Sequence, residues 1–194
     1  AIFYTASAFL VRQRYTQALV TMLEQEDFSF LLSAPSDLSI TDSVTLNWLT
    51  QKLEQSTSSD FSIFMARIIS EVGGDQAAPI LEKATRGATP HVRSTIIDIL
   101  AAADVRGEAA GQLYTKSVSD PDAQVRRSAI AGLERWAGAD SEQYLDMALE
   151  LLHDPDIEVR AQANPPLIRS GDFFYQTTAS QALAHLLADE DPHL

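Results

Sequence analysis

Arg93, Arg126 and Arg160 occupy one repeating slot, each directly after a valine. Asp122 and Asp156 stand four residues before the last two. Guanidinium groups in such a row can bind anions. They can also form a structural ladder, each Arg bonding Asp side chains or carbonyls of its own or the neighbouring segment. Registration with the repeat favours the ladder, because a binding arginine need not recur once per unit. A second constellation is acidic: Glu142, Asp146 and Glu150 are spaced by four, within a run from Asp140 to Glu158 of seven acids and no Lys or Arg. It reads either as a dock for a basic partner or as the solvated face of a helix.

The remaining chemistry-bearing residues point away from catalysis. None of His91, His153, His185 and His193 precedes a Glu, and no two lie four apart, so no metal site is expected. Asp98 and Glu134 fall on helices with nothing to mark them as an acid–base pair. Gly73-Gly74 reads as a helix end, not a phosphate loop, and no serine elbow is present. Trp136 and Tyr144 read as packing between helices. No catalytic residue and no cofactor are expected.

Composition narrows the classes. The chain has 194 residues, 45% hydrophobic, with a formal net charge of -13 and no cysteine. Such a charge repels phosphate backbones, and the 14 Lys and Arg are scattered, so nucleic-acid binding is not expected. Lack of cysteine removes disulfides and thiolate chemistry. No signal peptide is visible, and the missing initiator Met suggests an excised segment.

The elements that position these groups repeat. Asp120-Pro121-Asp122-Ala123-Gln124-Val125-Arg126 recurs 34 residues later as Asp154-Pro155-Asp156-Ile157-Glu158-Val159-Arg160. Thr89-Pro90-His91-Val92-Arg93 is a degenerate copy, and a fainter one begins near Asp60-Phe61. Ile69, Leu100, Leu133 and Leu167 share one slot. Each unit reads as a first helix with apolar residues three and four apart, an Asp-Pro-Asp link, and a second helix opening on Val-Arg. Asp caps the second helix and Pro takes its first position. Neither helix can bury its face alone, so units must stack. The spacing predicts an N-terminal helix at 2–25 and a loop near 33–42. Helix pairs follow at 43–55 with 60–72, 75–86 with 90–103, 107–118 with 122–137, and 141–152 with 156–170, then a lone helix at 174–188. This gives an all-α solenoid over 43–194 preceded by a separate segment, 1–42. Another link opens at Asp189-Glu190-Asp191-Pro192, as if the array were cut within a repeat.

The Asp-Pro-Asp-x-x-Val-Arg link and two-helix period resemble HEAT repeats of the short bacterial type, over roughly 43–194. Phe9 to Leu19 (FLVRQRYTQAL) and Leu167 to Gly171 (LIRSG) resemble parts of large bacterial membrane proteins. In those, a transporter-like domain, akin to ATP/ADP carriers or major-facilitator proteins, precedes HEAT repeats, and in some a cyclic-nucleotide-binding domain follows. The resemblance implies a regulatory or protein-binding domain on the cytoplasmic side of a bacterial membrane, with attachment through whatever precedes residue 1. Ala1 to Val11 is mostly apolar with Arg12 and Arg14 following, so it reads as the last turns of a spanning helix or as a capping helix. The His-Glu iron ligands of HEAT-like hydroxylases are absent. A HEAT-like bilin lyase is the enzymatic alternative, and a HEAT-like DNA glycosylase conflicts with the charge.

On this reading the partner is a protein or a neighbouring domain of the same chain. The second helices line the inner face, and Asp98, Arg127, Glu134 and Arg135 are the contact residues expected there. Asn164-Pro165-Pro166 interrupts the last second helix, since an interior proline removes a backbone donor and clashes with the preceding turn. The sequence predicts a break, with the first helix ending near Ala163 and Asn164 capping another. A notch at Gln162 and Asn164 would then be a docking point.

Overall fold

The computed structural model describes residues 43–188, Asp140 excepted, with side chains from Leu46 onward. The segments expected to form the N-terminal helix, its loop and the last link lie outside the described residues. Compactness divides the chain into Ala1–Thr45 and Leu46–Leu194, and the architecture below is that of the second unit.

Nine α-helices follow one another among the described residues: α1 (Ser43–Gln55), α2 (Ser59–Val72), α3 (Ala77–Thr85), α4 (Pro90–Ala102), α5 (Glu108–Ser117), α6 (Ala123–Ala137), α7 (Glu142–Leu151), α8 (Ile157–Arg169) and α9 (Phe173–Ala188). One 3-10 turn, Gly74–Gln76, leads into α3. The all-α solenoid expected from the spacing is the architecture observed. Second helices α2, α4, α6 and α8 pack in succession, and first helices α3, α5, α7 and α9 lie against them in the other layer. The core runs between the layers. Ile69, Leu100, Leu133 and Leu167, the shared slot, are each fully buried.

Caps explain where the second helices begin. Thr89 accepts from the Val92 amide, with Pro90 at the first helical position. The two later links differ from expectation. Asp122 and Asp156 are the caps, accepting from the amides two and three residues ahead. Pro121 and Pro155 therefore precede the cap instead of opening the helix. The first Asp of each link is engaged elsewhere. Asp120 Oδ1 takes the Asp122 amide at 2.9 Å, and Asp154 Oδ1 the Asp156 amide at 2.8 Å. Each link is thus folded around its proline before the helix starts.

The predicted break at Asn164 does not occur. α8 runs unbroken from Ile157 to Arg169 with both prolines inside it. Asn164 caps nothing: it is buried, and its Nδ2 donates to the Ala179 carbonyl of α9 at 2.8 Å. Tertiary burial outweighs the local preference. Val159, Ala163, Pro166 and Leu167 are buried beside Asn164, which binds the helix to its neighbours on both sides of the prolines.

Two glycines inside helices mark close approaches. A Cβ on Gly132 in α6 would lie 2.7 Å from the Tyr114 ring, and one on Gly111 in α5 would lie 2.3 Å from Trp136 Cζ2. Trp136 also donates from Nε1 to the carbonyls of Arg106 and Gly107, at 3.1 and 3.2 Å. It fastens the end of α6 across the start of α5. Tyr144 is buried in the core.

Candidate functional site

The arginine row spans repeats. Arg93 Nε and Nη2 donate to the two carboxylate oxygens of Asp120, at 2.9 and 2.7 Å. Arg126 makes the same fork to Asp154, at 2.7 and 2.6 Å. The free edge of each guanidinium turns back to its own link: Arg93 Nη1 to the Ala88 carbonyl, Arg126 Nη1 to those of Asp120 and Pro121. Arg160 repeats the backward half, its Nη1 donating to the carbonyls of Asp154 and Pro155 at 2.8 and 3.2 Å. The sequence points to Asp122 and Asp156 as the ladder carboxylates, with partners open to the same or the neighbouring link. The carboxylates that meet the arginines are Asp120 and Asp154, the first Asp of the following link.

Electrostatics follow this geometry. Burial alone would raise the carboxyls of Asp120 and Asp154. Hydrogen bonds from Arg93 and Arg126 and from the backbone outweigh it and hold both below the ordinary 3.8. The arginines move up, chiefly through the same bonds. The second rung is the drier one, since the Arg126 and Asp154 side chains are 10% and 4% exposed, against 20% and 13% for Arg93 and Asp120.

The remaining sequence-selected residues fall on the second helices and bridge one to the next. Asp98 on α4 is exposed at residue level, yet crowding around its carboxyl raises it, opposed by a Ser128 hydrogen bond and the charge of Arg135. Arg135 Nη1 on α6 reaches back to the Ala101 carbonyl at 3.4 Å. Arg127, half-buried on α6, pairs with Glu158 of α8 and with Gln124 of its own helix. Gln162 Nε2 on α8 donates to the Arg127 carbonyl at 3.3 Å. Glu134 lies 3.9 Å from Arg169 Nη2, and it bonds the buried Tyr144, whose hydroxyl is pushed up first by burial. Asp98, Arg127, Glu134, Arg135 and Gln162 are thus linked into a polar surface running from α4 to α8. Asn164 is not part of it, because only 2% of the residue is exposed. Ser128, Glu158 and Arg169 were not singled out from sequence. Of the three only Arg169 carries a repeat signal, standing 34 residues after Arg135.

On the other layer, a cleft of about 430 Å³ opens between α5 and α7, with Gly111 and Trp136 in its wall and Glu108, Gln112 and Gln143 at its edge. Glu142, Asp146 and Glu150 are exposed along α7. Among the described residues no group of His, Cys, Asp and Glu gathers as metal ligands. No described helix is long and apolar enough to cross a membrane.

Helix pairs in two layers, riveted repeat to repeat by Arg–Asp forks, define an α-helical repeat scaffold. The profile of HEAT repeats matches residues 46–134 and again 111–194, and the chain belongs to the HEAT-repeat family. No curated protein matches it at a significant level. HEAT repeats typically serve protein–protein interaction.

Proposed function

We propose that the chain is a non-catalytic binding scaffold that meets a protein partner, or a neighbouring domain of its own chain, through the exposed side of α4, α6 and α8. The observation that carries this is the polar surface joined across those helices by Asp98, Arg135, Arg127 and Glu158. Its members are charged and presented by rigid helices, and each is oriented by a neighbour, which lowers the entropic cost of binding. The test is site-specific photo-crosslinking in the source cells. A crosslinker at position 127 or 135 should capture one discrete protein band, and one at 112 on the first helix α5 should not. Capture only from the first helices would place the contact surface on the other layer.

The finer context we propose is the cytoplasmic HEAT-repeat part of a transporter-like membrane protein. Its support is the apolar stretch Ala1 to Val11 followed by Arg12 and Arg14, the pattern of a spanning helix ending on the cytoplasmic side. The upstream gene sequence tests it. A run of about 20 apolar residues ending near Val11 supports it, and a hydrophilic upstream sequence contradicts it.

A further inference from the structure

The start of α9 leaves two aromatic rings in water. Phe173 is 81% exposed and Phe174 61%, and Ala179 is the one fully buried residue of this helix. The first turn of α7, one repeat earlier, has Glu142 and Gln143 at its opening positions, which solvent favours. Two adjacent phenylalanines at the same place leave an apolar patch exposed among the described residues.

The patch is held in position. Asp172 Oδ1 caps α9, accepting from the amides of Phe174 and Tyr175 at 2.8 and 3.3 Å. Tyr175 donates its hydroxyl to Asp146 of α7 at 2.6 Å and meets the Phe174 ring edge-on, centroids 5.7 Å apart. The carboxylates of Asp146, Glu142 and Asp172 all act on Tyr175. Led by the Asp146 hydrogen bond, they push its hydroxyl up to about 12. The rim is therefore acidic, and so is its surrounding sequence. Residues 140–194 hold eleven acids and two arginines, which is -9 of the chain's -13. Both arginines are turned elsewhere, Arg160 to link carbonyls and Arg169 towards Glu134.

We infer that the Phe173–Phe174 patch, rimmed by Glu142, Asp146 and Asp172, docks a basic amphipathic protein segment, with Lys or Arg flanking apolar side chains. The apolar side chains cover the rings, and the cations meet the rim carboxylates and ring faces. Charge sets aside the other occupants. A second copy joined through the same face would set acid against acid, and nucleic acids and anionic membrane surfaces are repelled. The inference rests on the scaffold reading but names a different surface and a partner chemistry.

The experiment is a fluorescence-anisotropy titration of the whole chain with a labelled helical Lys/Leu amphipathic peptide. A Lys/Ser peptide of equal charge and a Glu/Leu peptide of opposite charge are the comparisons. The Lys/Leu peptide should bind, more weakly as salt rises, and the other two should bind at least roughly tenfold more weakly. Phe173→Ser with Phe174→Ser, and separately Glu142→Gln with Asp146→Asn, should each weaken it by a similar factor, with unchanged circular dichroism. Equal binding by both variants, or by the Lys/Ser peptide, overturns the inference. A dimer in sedimentation that is lost with the Phe substitutions overturns it in favour of a second copy. Phe174→Cys puts a single thiol into a cysteine-free chain. If that thiol resists a maleimide reagent in the free protein, the chain itself covers the patch and the inference fails. Should the peptide result fail while positions 127 and 135 still crosslink a partner, the scaffold reading stands alone.

Discussion

Arg126 and Asp154, 28 residues apart in sequence, form a two-pronged ion pair at 2.7 and 2.6 Å that is almost closed to water. The pair ties the second helix of one repeat to the link of the next. The same Asp154 folds its own link by accepting the Asp156 amide. One carboxylate therefore serves two repeats.

Breaking this rung from one side leaves a buried charge unpaired. Arg126→Met or Asp154→Leu alone should each cost about 3–5 kcal/mol in urea unfolding. The double variant should recover much of that loss, because no lone charge remains. Arg93→Met should cost less, since that rung is more open to water. Equal losses at the two rungs would show that burial does not set their strength.

The pH dependence has a definite sign. Asp120 and Asp154 lie below 3.8 when folded, whereas the unfolded chain keeps the ordinary value. Their stabilisation is complete above that value and is lost as pH falls through the depressed folded values. The stability gap between the wild type and Asp154→Asn should be widest at neutral pH and narrow as pH falls below 3.8. A gap that stays constant would mean the carboxylate charge contributes nothing.

At Gly132 helix propensity and packing oppose each other. Alanine is favoured over glycine in a helix interior by about 1 kcal/mol. Here its methyl would meet the Tyr114 ring at 2.7 Å. Gly132→Ala should destabilise by about 1–3 kcal/mol, overpacking outweighing propensity. A rise in thermal midpoint would show that the ring yields.

The continuous α8 makes its own prediction. Pro165 is exposed and Pro166 buried, so only Pro165 can be replaced without opening a cavity. Pro165→Ala restores an amide facing the Ala161 carbonyl and should stabilise by up to about 3 kcal/mol. Had Asn164 capped a second helix, the same change would remove a favourable helix start and destabilise.

The fold was legible because it is written in short-range spacing. Apolar residues three and four apart, and the shared slot of Ile69, Leu100, Leu133 and Leu167, reflect one packing problem solved once per repeat. The rung partners were less legible. Spacing within a link points from Arg126 to Asp122, four residues away, but Asp122 is consumed by its own helix cap. The carboxylate left over is the first Asp of the next link, and only stacking brings it near. Asn164 misleads for a related reason. Two prolines argue for a break when α8 is considered alone, whereas the bond from Asn164 to the Ala179 carbonyl depends on α9. The second-helix surface was visible as isolated charges, but its bridging partners Ser128, Glu158 and Arg169 become evident only when helices 30 or more residues apart are side by side.

The scaffold account is tested most directly by crosslinking from position 135, since Arg135 acts on the Asp98 carboxyl and reaches the Ala101 carbonyl of α4. It predicts a single partner band in the source cells that disappears when Asp98→Asn and Arg127→Ala are added, with the thermal midpoint little changed. A band that survives both substitutions, or one obtained only from first-helix position 112, would contradict it.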